Sequence, residues 1–335
     1  MNDRAPFAPP PATARVQRIR RLTQAGFFLI FVFAPILDLF RFDMPNHHFI
    51  VLGLPWTLGL DDFAAHRISG AHLALNLLLR GVLPIVLGIL SVLWVSWRFG
   101  RVYCGWLCPH FSVVETLNQT MRRAIGRQSL WERQTQPERN PDGSVTKRDP
   151  LWWFVILPLA VMFAFLWIIS FMSYVWPPRQ IWHDLLFAHL PLYQQLILGV
   201  GTLAFSLEFV FARHLFCRFA CAAGLFQSLA WMGNRHAMVV GYERGRAPEC
   251  AGCENACDNA CPMRLKPRNV KRMMFSCVQC GQCLNACAQV QRENPDGPLL
   301  TWVHEDRAGS EAAFNTRAAK VDQRNRIPLV RSDED

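Results

Sequence analysis

The sequence predicts a mainly α-helical membrane protein, in which a bundle of four transmembrane helices is joined to a small cysteine-rich α+β domain. Two observations support this prediction. Hydrophobic residues make up 51% of the 335 residues, and they gather in long runs within the first two thirds of the chain. All twelve cysteines follow residue 100, in tightly spaced groups. A secreted disulfide framework would scatter cysteines over loops, so these groups indicate metal binding.

Four apolar runs approach the length of about 20 residues that a helix needs to cross a bilayer. Tryptophans crowd the ends of these runs, as in an interfacial belt, which argues against buried helices of a large soluble protein. No small-residue cleavage site follows the first run, so it is not interpreted as a cleaved signal peptide. The predicted spans are residues 25–40, 75–97, 152–176 and 192–211.

The distribution of basic residues predicts the orientation in the membrane. Five arginines precede the first span and nine basic residues lie in the loop 98–150, whereas the loops 41–76 and 177–191 together hold three. Basic loops stay in the cytoplasm, so we expect a multi-pass protein of the bacterial inner membrane with both termini and every cysteine on the cytoplasmic side. The expected domains are a basic tail (1–24), a membrane domain (25–233), a cysteine-rich domain (234–305) and a polar C-terminal tail (306–335).

Two cysteine runs near the end of the chain have the spacing of cluster-binding loops. The run "CVQCGQCLNAC", from residue 277, is spaced like a ferredoxin loop, in which three thiolates hold one cubane and a fourth reaches a neighbouring cluster. The run "CAGCENACDNACP", from residue 250, has one extra residue in its middle. Crossing over between the runs predicts two [4Fe–4S] ligand sets, namely Cys250, Cys253, Cys257 and Cys287, and Cys277, Cys280, Cys283 and Cys261.

Structural zinc is the alternative for these eight cysteines. Zinc sites usually pair two C-x2-C knuckles across a longer loop, whereas here four cysteines fall within about twelve residues, twice. Iron–sulfur clusters are therefore favoured. The predicted fold becomes a four-helix membrane bundle with a small α+β, ferredoxin-like 2[4Fe–4S] domain on the cytoplasmic side.

The remaining four cysteines form two pairs, in "RVYCGWLCPH" and "RHLFCRFAC", each after a predicted span. A spacing of four residues places both thiols of a pair on one helix face. Because the pattern is repeated, we expect Cys104, Cys108, Cys217 and Cys221 to share one site. Soft thiolates suit a third cluster or Cu(I), and the pairs could also act as redox dithiols. The alternative is that all four are small apolar residues at a helix interface.

Three ionisable residues lie within or at the edge of the predicted spans, namely Asp38, Arg80 and Glu208. Intramembrane charges usually face a partner or a cavity. Asp38 and Arg80 have opposite charge at similar depth, so they are interpreted either as a structural ion pair or as a quinone or proton site. Glu208 could instead extend toward Arg213.

The outer loops contain weaker candidates for metal binding. Met44, His47 and His48 combine a thioether with imidazoles, which suits copper, but exposed loop histidines mostly have no such function. A b-type haem between helices would need histidine inside the spans. None of the four predicted spans contains one, so haem is not expected.

Four spans, a C-x3-C pair after the second and the fourth, and two ferredoxin runs together resemble a family of polytopic membrane iron–sulfur proteins. This family includes the cytochrome-oxidase accessory proteins of the CcoG/FixG/RdxA type, the NapH type and, more distantly, NosR. The resemblance covers roughly residues 20–305, and "FDMPNHHFIVLG", "GRVYCGWLCP" and "PDGPLLTW" are most similar to the accessory branch. The accessory branch has a further span and an outer immunoglobulin-like domain. Here a polar tail follows the cysteine runs, as in NapH, and Ala222 replaces the usual proline.

The resemblance implies a membrane-anchored electron-transfer protein; whether it acts as an enzyme is left open. The accessory branch implies reduction of a metal, copper, during respiratory oxidase maturation, and this is the leading expectation. The NapH branch implies a quinol dehydrogenase subunit, with quinone as a ligand, that passes electrons to a periplasmic reductase. A non-catalytic metal carrier or assembly subunit is the third alternative. The expected partners are the lipid membrane and a membrane or periplasmic redox or oxidase protein, and no nucleic acid.

Overall fold

Residues 11–313 are described by the computed structural model, and they are mostly helical, as predicted. Within this part of the chain, three helical stretches are long and apolar enough to cross a membrane. They correspond to the second, third and fourth predicted spans, so the chain has the helices of a membrane protein. The stretches are Gly70–Phe99, Pro150–Val175 and Leu192–Ala212.

The first predicted span differs from the structure. The helix α1, Pro11–Phe33, begins well inside the predicted basic tail and ends two residues before Pro35. Proline lacks an N–H and disfavours helical geometry at the residue before it, which explains this end. The apolar part of α1, residues 25–33, would rise only about 13 Å against a hydrocarbon core of about 30 Å. A fourth span, and with it a four-helix bundle, is therefore not confirmed.

A three-stranded antiparallel sheet follows α1 at the end of the helices that is remote from the cysteines. The turn between its second and third strands consists of Leu52 and Gly53, both with positive φ (52° and 76°), as a tight two-residue hairpin requires. The sheet is tied to the third span because the N–H of Met44 donates to the carbonyl of Val175 at 3.1 Å. Its strands are β1 (Phe40–Asp43), β2 (His48–Val51) and β3 (Leu54–Trp56).

The second span is a single continuous helical stretch. A short helix α2 (Leu60–Ala64) precedes it. The span consists of α3 (Gly70–Asn76), a π-helical segment (Leu77–Val82) and α4 (Leu83–Phe99). Its most apolar window is 0% buried within the described part of the chain, so it stands apart from the other spans.

The third span contains the helix α7 (Trp153–Val175), which packs against α1 and the fourth span. Trp167 on α7 contacts Phe31 of α1 and Phe205 of the fourth span, and it lies in one apolar cluster with Leu117 of α6 (Pro109–Ile125). The elements on this side are α5 (Val102–Trp106), α6 (Pro109–Ile125), α7 (Trp153–Val175), α8 (Pro178–Leu186) and α9 (Leu192–Leu207). The chain continues through π-helical segments Glu208–Ala212 and Phe216–Ala220 into α10 (Ala222–Gly233), which packs against α4.

The cysteine-rich region is an α+β unit, as predicted, although a ferredoxin-like arrangement is not established. Strands β4 (Val239–Tyr242) and β5 (Leu300–Val303) pair antiparallel and flank the helices α11 (Ala256–Ala260) and α12 (Gln282–Val290). The 3₁₀ turns Arg244–Cys250 and Lys271–Met274 connect them. The predicted C-terminal tail begins with α13 (Asp306–Ala313), whose Ala308 is buried in the core. Residues 1–10 and 314–335 of the two predicted tails lie outside the described residues.

The orientation of the chain can be tested at three exposed positions. In intact cells, cysteines introduced as Asn46→Cys and Gln180→Cys should react with a membrane-impermeant thiol reagent from outside, whereas Ser144→Cys should not. The unmodified chain, with its twelve cysteines, gives the background. Labelling of the Ser144→Cys protein from outside would reverse the predicted orientation.

Candidate iron–sulfur sites

Four of the cysteines line a first, small cavity of about 10 Å³. The hydroxyl of Tyr242 lies 3.7 Å from the sulfur of Cys250, and Arg268 also lines the cavity. The neighbouring residues Ala251 and Gly252 are exposed, so this cavity lies near the surface. Its four cysteines are Cys250, Cys253, Cys257 and Cys287, the first of the two sets that crossing over predicts.

The other four ferredoxin-type cysteines line a second cavity, also of about 10 Å³. Apolar side chains such as Met274 and Trp302 complete its walls. Burial raises the pKa of the Cys280 thiol to about 12, so a bound metal would have to displace its proton. The cysteines of this cavity are Cys261, Cys277, Cys280 and Cys283, the second predicted set.

Two short helices explain why the sets cross over. Cys257 lies in α11 and Cys261 follows directly after it, while Cys283 and Cys287 lie one turn apart on α12. The two helices pack against each other. Each helix segment therefore supplies one cysteine to each cavity, and the two cavities are separated by about one helical turn of α12.

The extra residue of the first run is accommodated in the backbone before α11. Asn255 (φ 55°) precedes α11 and Gly281 (φ 69°) precedes α12, so both helices start from a left-handed residue two positions before a cysteine. The additional residue, Glu254, is also left-handed (φ 46°). The insertion thus changes the loop and leaves the helix start before Cys257 equivalent to that before Cys283.

The two C-x3-C pairs meet in one place, called here the paired-thiol site (Cys104, Cys108, Cys217 and Cys221). Burial raises the pKa of the Cys108 thiol to about 11, and the charges of Cys104 and Cys221 add to this effect. The pKa of Cys217 is raised by burial and by all three other thiols of the site. These mutual effects mean that the four sulfurs lie within electrostatic range of each other. Within residues 11–313, no group of three or more His, Cys, Asp or Glu side chains is arranged to hold a metal ion.

The paired-thiol site touches the second cavity through backbone. A side chain on Gly105 would collide with the carbonyl oxygen of Val278, which lies between Cys277 and Cys280. The indole Nε1 of Trp106 donates to the carbonyl of Gln279 at 2.9 Å. The segment after Cys104 therefore lies directly on the second ferredoxin-type loop.

A buried ion pair holds this contact in place. Arg20 on α1 is 1% exposed and makes a bidentate pair with Glu115 on α6, at 2.6 and 2.7 Å. Arg20 also donates to the carbonyl of Gly105 at 3.3 Å, and Gln282 at the start of α12 donates to Glu115. One charge pair thus links α1, α6, the paired-thiol site and the second cavity.

Arg101 is a site residue that the sequence interpretation missed. It is 1% exposed, donates to the carbonyl of Cys217 at 2.7 Å and acts electrostatically on the thiols of Cys104 and Cys277. A side chain at Gly224 would occupy the place of its guanidinium. A sequence signal exists, because a basic-type residue precedes each pair by three positions, Arg101 in one and His214 in the other.

Asp38 and Arg80, interpreted from the sequence as an ion pair or as a quinone or proton site, each contact another group in the structure. Asp38 accepts a hydrogen bond from Arg41 at 2.6 Å, three residues later in the chain. The side chain of Arg80 donates to the carbonyl of Thr57 at 3.4 Å. The partner of Asp38 is therefore Arg41 in β1. The sequence suggests Arg80 instead, because it and Asp38 lie at a similar depth in the predicted spans.

The remaining candidates lie in different places. Glu208 hydrogen-bonds His110 at 3.1 Å, and it also acts electrostatically on Arg213, the partner that the sequence suggests. Met44, His47 and His48 lie at the turn between β1 and β2, and His48 contacts the carbonyl of Asn46. They are therefore at the end of the molecule that is remote from the cysteines.

A family model for a 4Fe-4S binding domain matches the chain twice, at residues 82–128 and 195–237. Each match contains one C-x3-C pair, the end of the preceding membrane helix and the helix that follows. The match therefore supports iron–sulfur binding in the part of the chain that builds the paired-thiol site. The eight ferredoxin-type cysteines lie outside the matched residues.

Three relatives extend the comparison over most of the chain. The ferredoxin-type protein NapH of Haemophilus influenzae is 24% identical over 81% of this chain and 86% of its own length. The putative electron transport protein YccM of Escherichia coli is 22% identical over 71% of this chain and 62% of its own length. An uncharacterized protein of Methanocaldococcus jannaschii is 24% identical over 82% of this chain and 93% of its own length.

These matches support a membrane 4Fe–4S protein family of the NapH type for this chain. Of these relatives, one is named as a ferredoxin-type protein and one as a putative electron transport protein. No solved structure matches the chain.

The contact at Gly105 yields a stability and assembly prediction. Gly105→Ala should push the Val278 loop away and lower the iron content of the purified protein, because the new methyl group has no space. Gly252→Ala is the matched control, since nothing lies within 4 Å of the position its methyl group would take. Equal iron content in both variants would show that the close approach is not needed.

The ion pair yields a second prediction. Arg20→Ala should lower the free energy of unfolding by about 3–5 kcal/mol, because it leaves Glu115 charged and buried without its partner. Thermal unfolding in detergent would measure this loss. Arg18→Ala, on the exposed side of α1, should change little, and a similar loss in both variants would contradict the role of the pair.

Proposed function

We propose that the chain is a membrane-anchored iron–sulfur protein that carries electrons between the cysteine-rich domain and the membrane domain. The observation that supports this most directly is the backbone contact between Gly105 and Val278. Through this contact the paired-thiol site lies next to the second cavity. The second cavity lies about one turn of α12 from the first. The three sites therefore form a series from the surface of the domain to the ends of the membrane helices.

The ligands proposed for two [4Fe–4S] clusters are the cysteines of the first and second cavities. The type of donor fits, because all twelve cysteines are free thiols and each cavity is lined by four of them, although no three of them within residues 11–313 are grouped closely enough to hold a single metal ion. Backbone N–H groups also point at the sulfurs, as when Leu265 donates to Cys261 at 3.4 Å, which is a recognised way to tune such sites. When bound, the clusters supply one-electron oxidation and reduction.

For the paired-thiol site we propose a third [4Fe–4S] cluster. The support is that the 4Fe-4S family model matches both segments that contribute to it. Cu(I) and reversible dithiol chemistry remain the alternatives for the same four sulfurs. Arg101 would offset part of the negative charge of either a cluster or a thiolate–copper complex.

The physiological role that we propose first is reduction of copper for respiratory oxidase maturation, on the resemblance of the sequence motifs to the accessory branch. The similarity to a protein named NapH favours the second candidate, a quinol dehydrogenase subunit that passes electrons to a periplasmic reductase. A metal carrier without redox turnover is the third. In each case we propose that the cysteine-bearing end faces the cytoplasm of an inner-membrane protein.

Metal analysis of protein purified without oxygen tests the proposal. Three cubanes would give about twelve iron and twelve sulfide per chain, from the composition of such clusters. Cys104→Ser and Cys217→Ser should each lose the same third of the iron, and the double variant should lose no more, because the pairs form one unit. The EPR signals of the other two clusters should remain.

Several outcomes of this experiment would contradict the proposal. Stoichiometric zinc without iron would exclude the cluster assignment, and additive losses in the double variant would exclude a shared site. Copper at the paired-thiol site, lost in both single variants, would favour the carrier. A quinone that co-purifies with the full chain would favour the quinol dehydrogenase.

A further inference from the structure

His110 connects the paired-thiol site to a carboxylate at the end of the fourth span. Its Nδ1 lies 3.5 Å from the sulfur of Cys217, and its Nε2 lies 3.1 Å from Oε2 of Glu208. The imidazole belongs to the chain segment of one cysteine pair, two residues after Cys108, and it contacts the sulfur of the other pair. This contact could not be inferred from the position of Glu208 in the span or from the spacing of the cysteines.

The chemistry of the two neighbours determines the direction of the hydrogen bonds. A metal-bound cysteine sulfur has no hydrogen to donate, so the hydrogen between it and the ring must be on Nδ1. A neutral ring has only one N–H, so the contact between Nε2 and Glu208 needs a second proton, held either on Nε2 of a charged imidazolium or on the carboxyl group of Glu208. In both cases Glu208 fixes the orientation of the imidazole. Carboxylate–histidine pairs are used in this way around metal sites to orient a group that faces the metal.

The surroundings of His110 keep water away from this pair of contacts. The ring is 7% exposed and packs against the aromatic side chains of Trp167, Phe209 and Phe216, with ring centroids 5.1 to 5.9 Å away. In such an apolar environment a hydrogen bond to a charged sulfur is stronger than in water. The histidine is therefore placed to affect the electronic properties of the paired-thiol site. A ring without nitrogen atoms would pack equally well here, so packing alone does not explain why the residue is a histidine.

We propose that His110, held by Glu208, is a positioning residue that donates a hydrogen bond to the sulfur of Cys217 and raises the reduction potential of the paired-thiol site. The inference rests on the proposed function, in which this site holds a cluster. Hydrogen bonds to ligand sulfurs withdraw electron density and are one of the factors that set the potential of iron–sulfur clusters. His110 would thus adjust the energy of an electron where the protein meets the membrane.

EPR-monitored redox titration of the full chain tests this inference. His110→Phe keeps an aromatic ring but removes the N–H, so the midpoint potential of the paired-thiol signal should fall. At the wild-type midpoint the reduced-to-oxidised ratio should drop about tenfold, equivalent to about 59 mV for a one-electron couple. His110→Asn, which keeps an N–H near the place of Nδ1, should restore part of the shift. The signals of the two ferredoxin-type cavities should not move.

His183→Phe is the matched control, because His183 also pairs with a carboxylate, Asp184, and packs on Phe187, but lies in α8 at the remote end. It should leave every potential unchanged. An unchanged midpoint in His110→Phe with full iron content would overturn the inference alone. Absence of any paired-thiol signal in the wild-type chain would overturn the proposed function and this inference with it.

A second measurement covers the case in which His110→Phe fails to retain its iron. In wild-type protein grown with histidine labelled by the heavy nitrogen isotope, pulsed EPR should detect coupling between a histidine nitrogen and the paired-thiol signal. His110 supplies the ring that is within hydrogen-bonding distance of Cys217. Absence of this coupling would overturn the inference without any variant.

Discussion

The arrangement of the cysteine sites depends on the buried pair of Arg20 and Glu115. Removing two charges from water costs several kcal/mol for each ion, and their attraction offsets this cost only where the geometry is good and the remaining polar atoms are satisfied. Here the pair is bidentate, and Gln24 and Gln282 also donate to Glu115. Arg20 and Gln24 lie on α1, Glu115 on α6 and Gln282 at the start of α12. The pair is therefore stable only when α1, α6 and the start of α12 are together, which fixes the distance between the second cavity and Gly105.

Hydrophobicity predicted the three spans that are apolar over most of their length. The second, third and fourth spans are dominated by apolar side chains, and the structure has them close to the predicted bounds. The first helix was mispredicted because it serves two environments. In its first half, Gln17 donates to the carbonyl of Cys280 in the cysteine-rich domain at 2.9 Å, and Arg20 pairs with Glu115 of α6. Its second half packs Phe28 and Phe31 on α7, so neither hydropathy nor charge alone describes it.

Spacing indicated which cysteines come together. Cys283 and Cys287, four residues apart on α12, line different cavities. Cys108 and Cys221 instead have extended backbone, so helix geometry alone does not explain the meeting of the two pairs. The residues around the thiols could not be predicted in this way. Arg101, His110 and Glu208 reach the paired-thiol site from different elements, and only the fold brings them together. For Asp38 the expected partner was distant in sequence and the observed one is close. A similar depth in the membrane suggested Arg80, but the ion pair is with Arg41, three residues later.

The two halves of the internal repeat can be compared to distinguish residues that the fold requires from residues that affect only the paired-thiol site. Cys108 and Cys221 have nearly the same backbone geometry, with φ and ψ of −60° and 118° and of −74° and 108°, and each stands directly before a helix. Ala222 therefore starts its helix as Pro109 does, and the missing proline does not alter the thiol position. The residue that follows differs in chemistry, because His110 in one half corresponds to Ala223 in the other. Since both halves build the same turn, this difference is not needed for folding. It makes the site asymmetric, with the histidine of one half facing the Cys217 sulfur of the other.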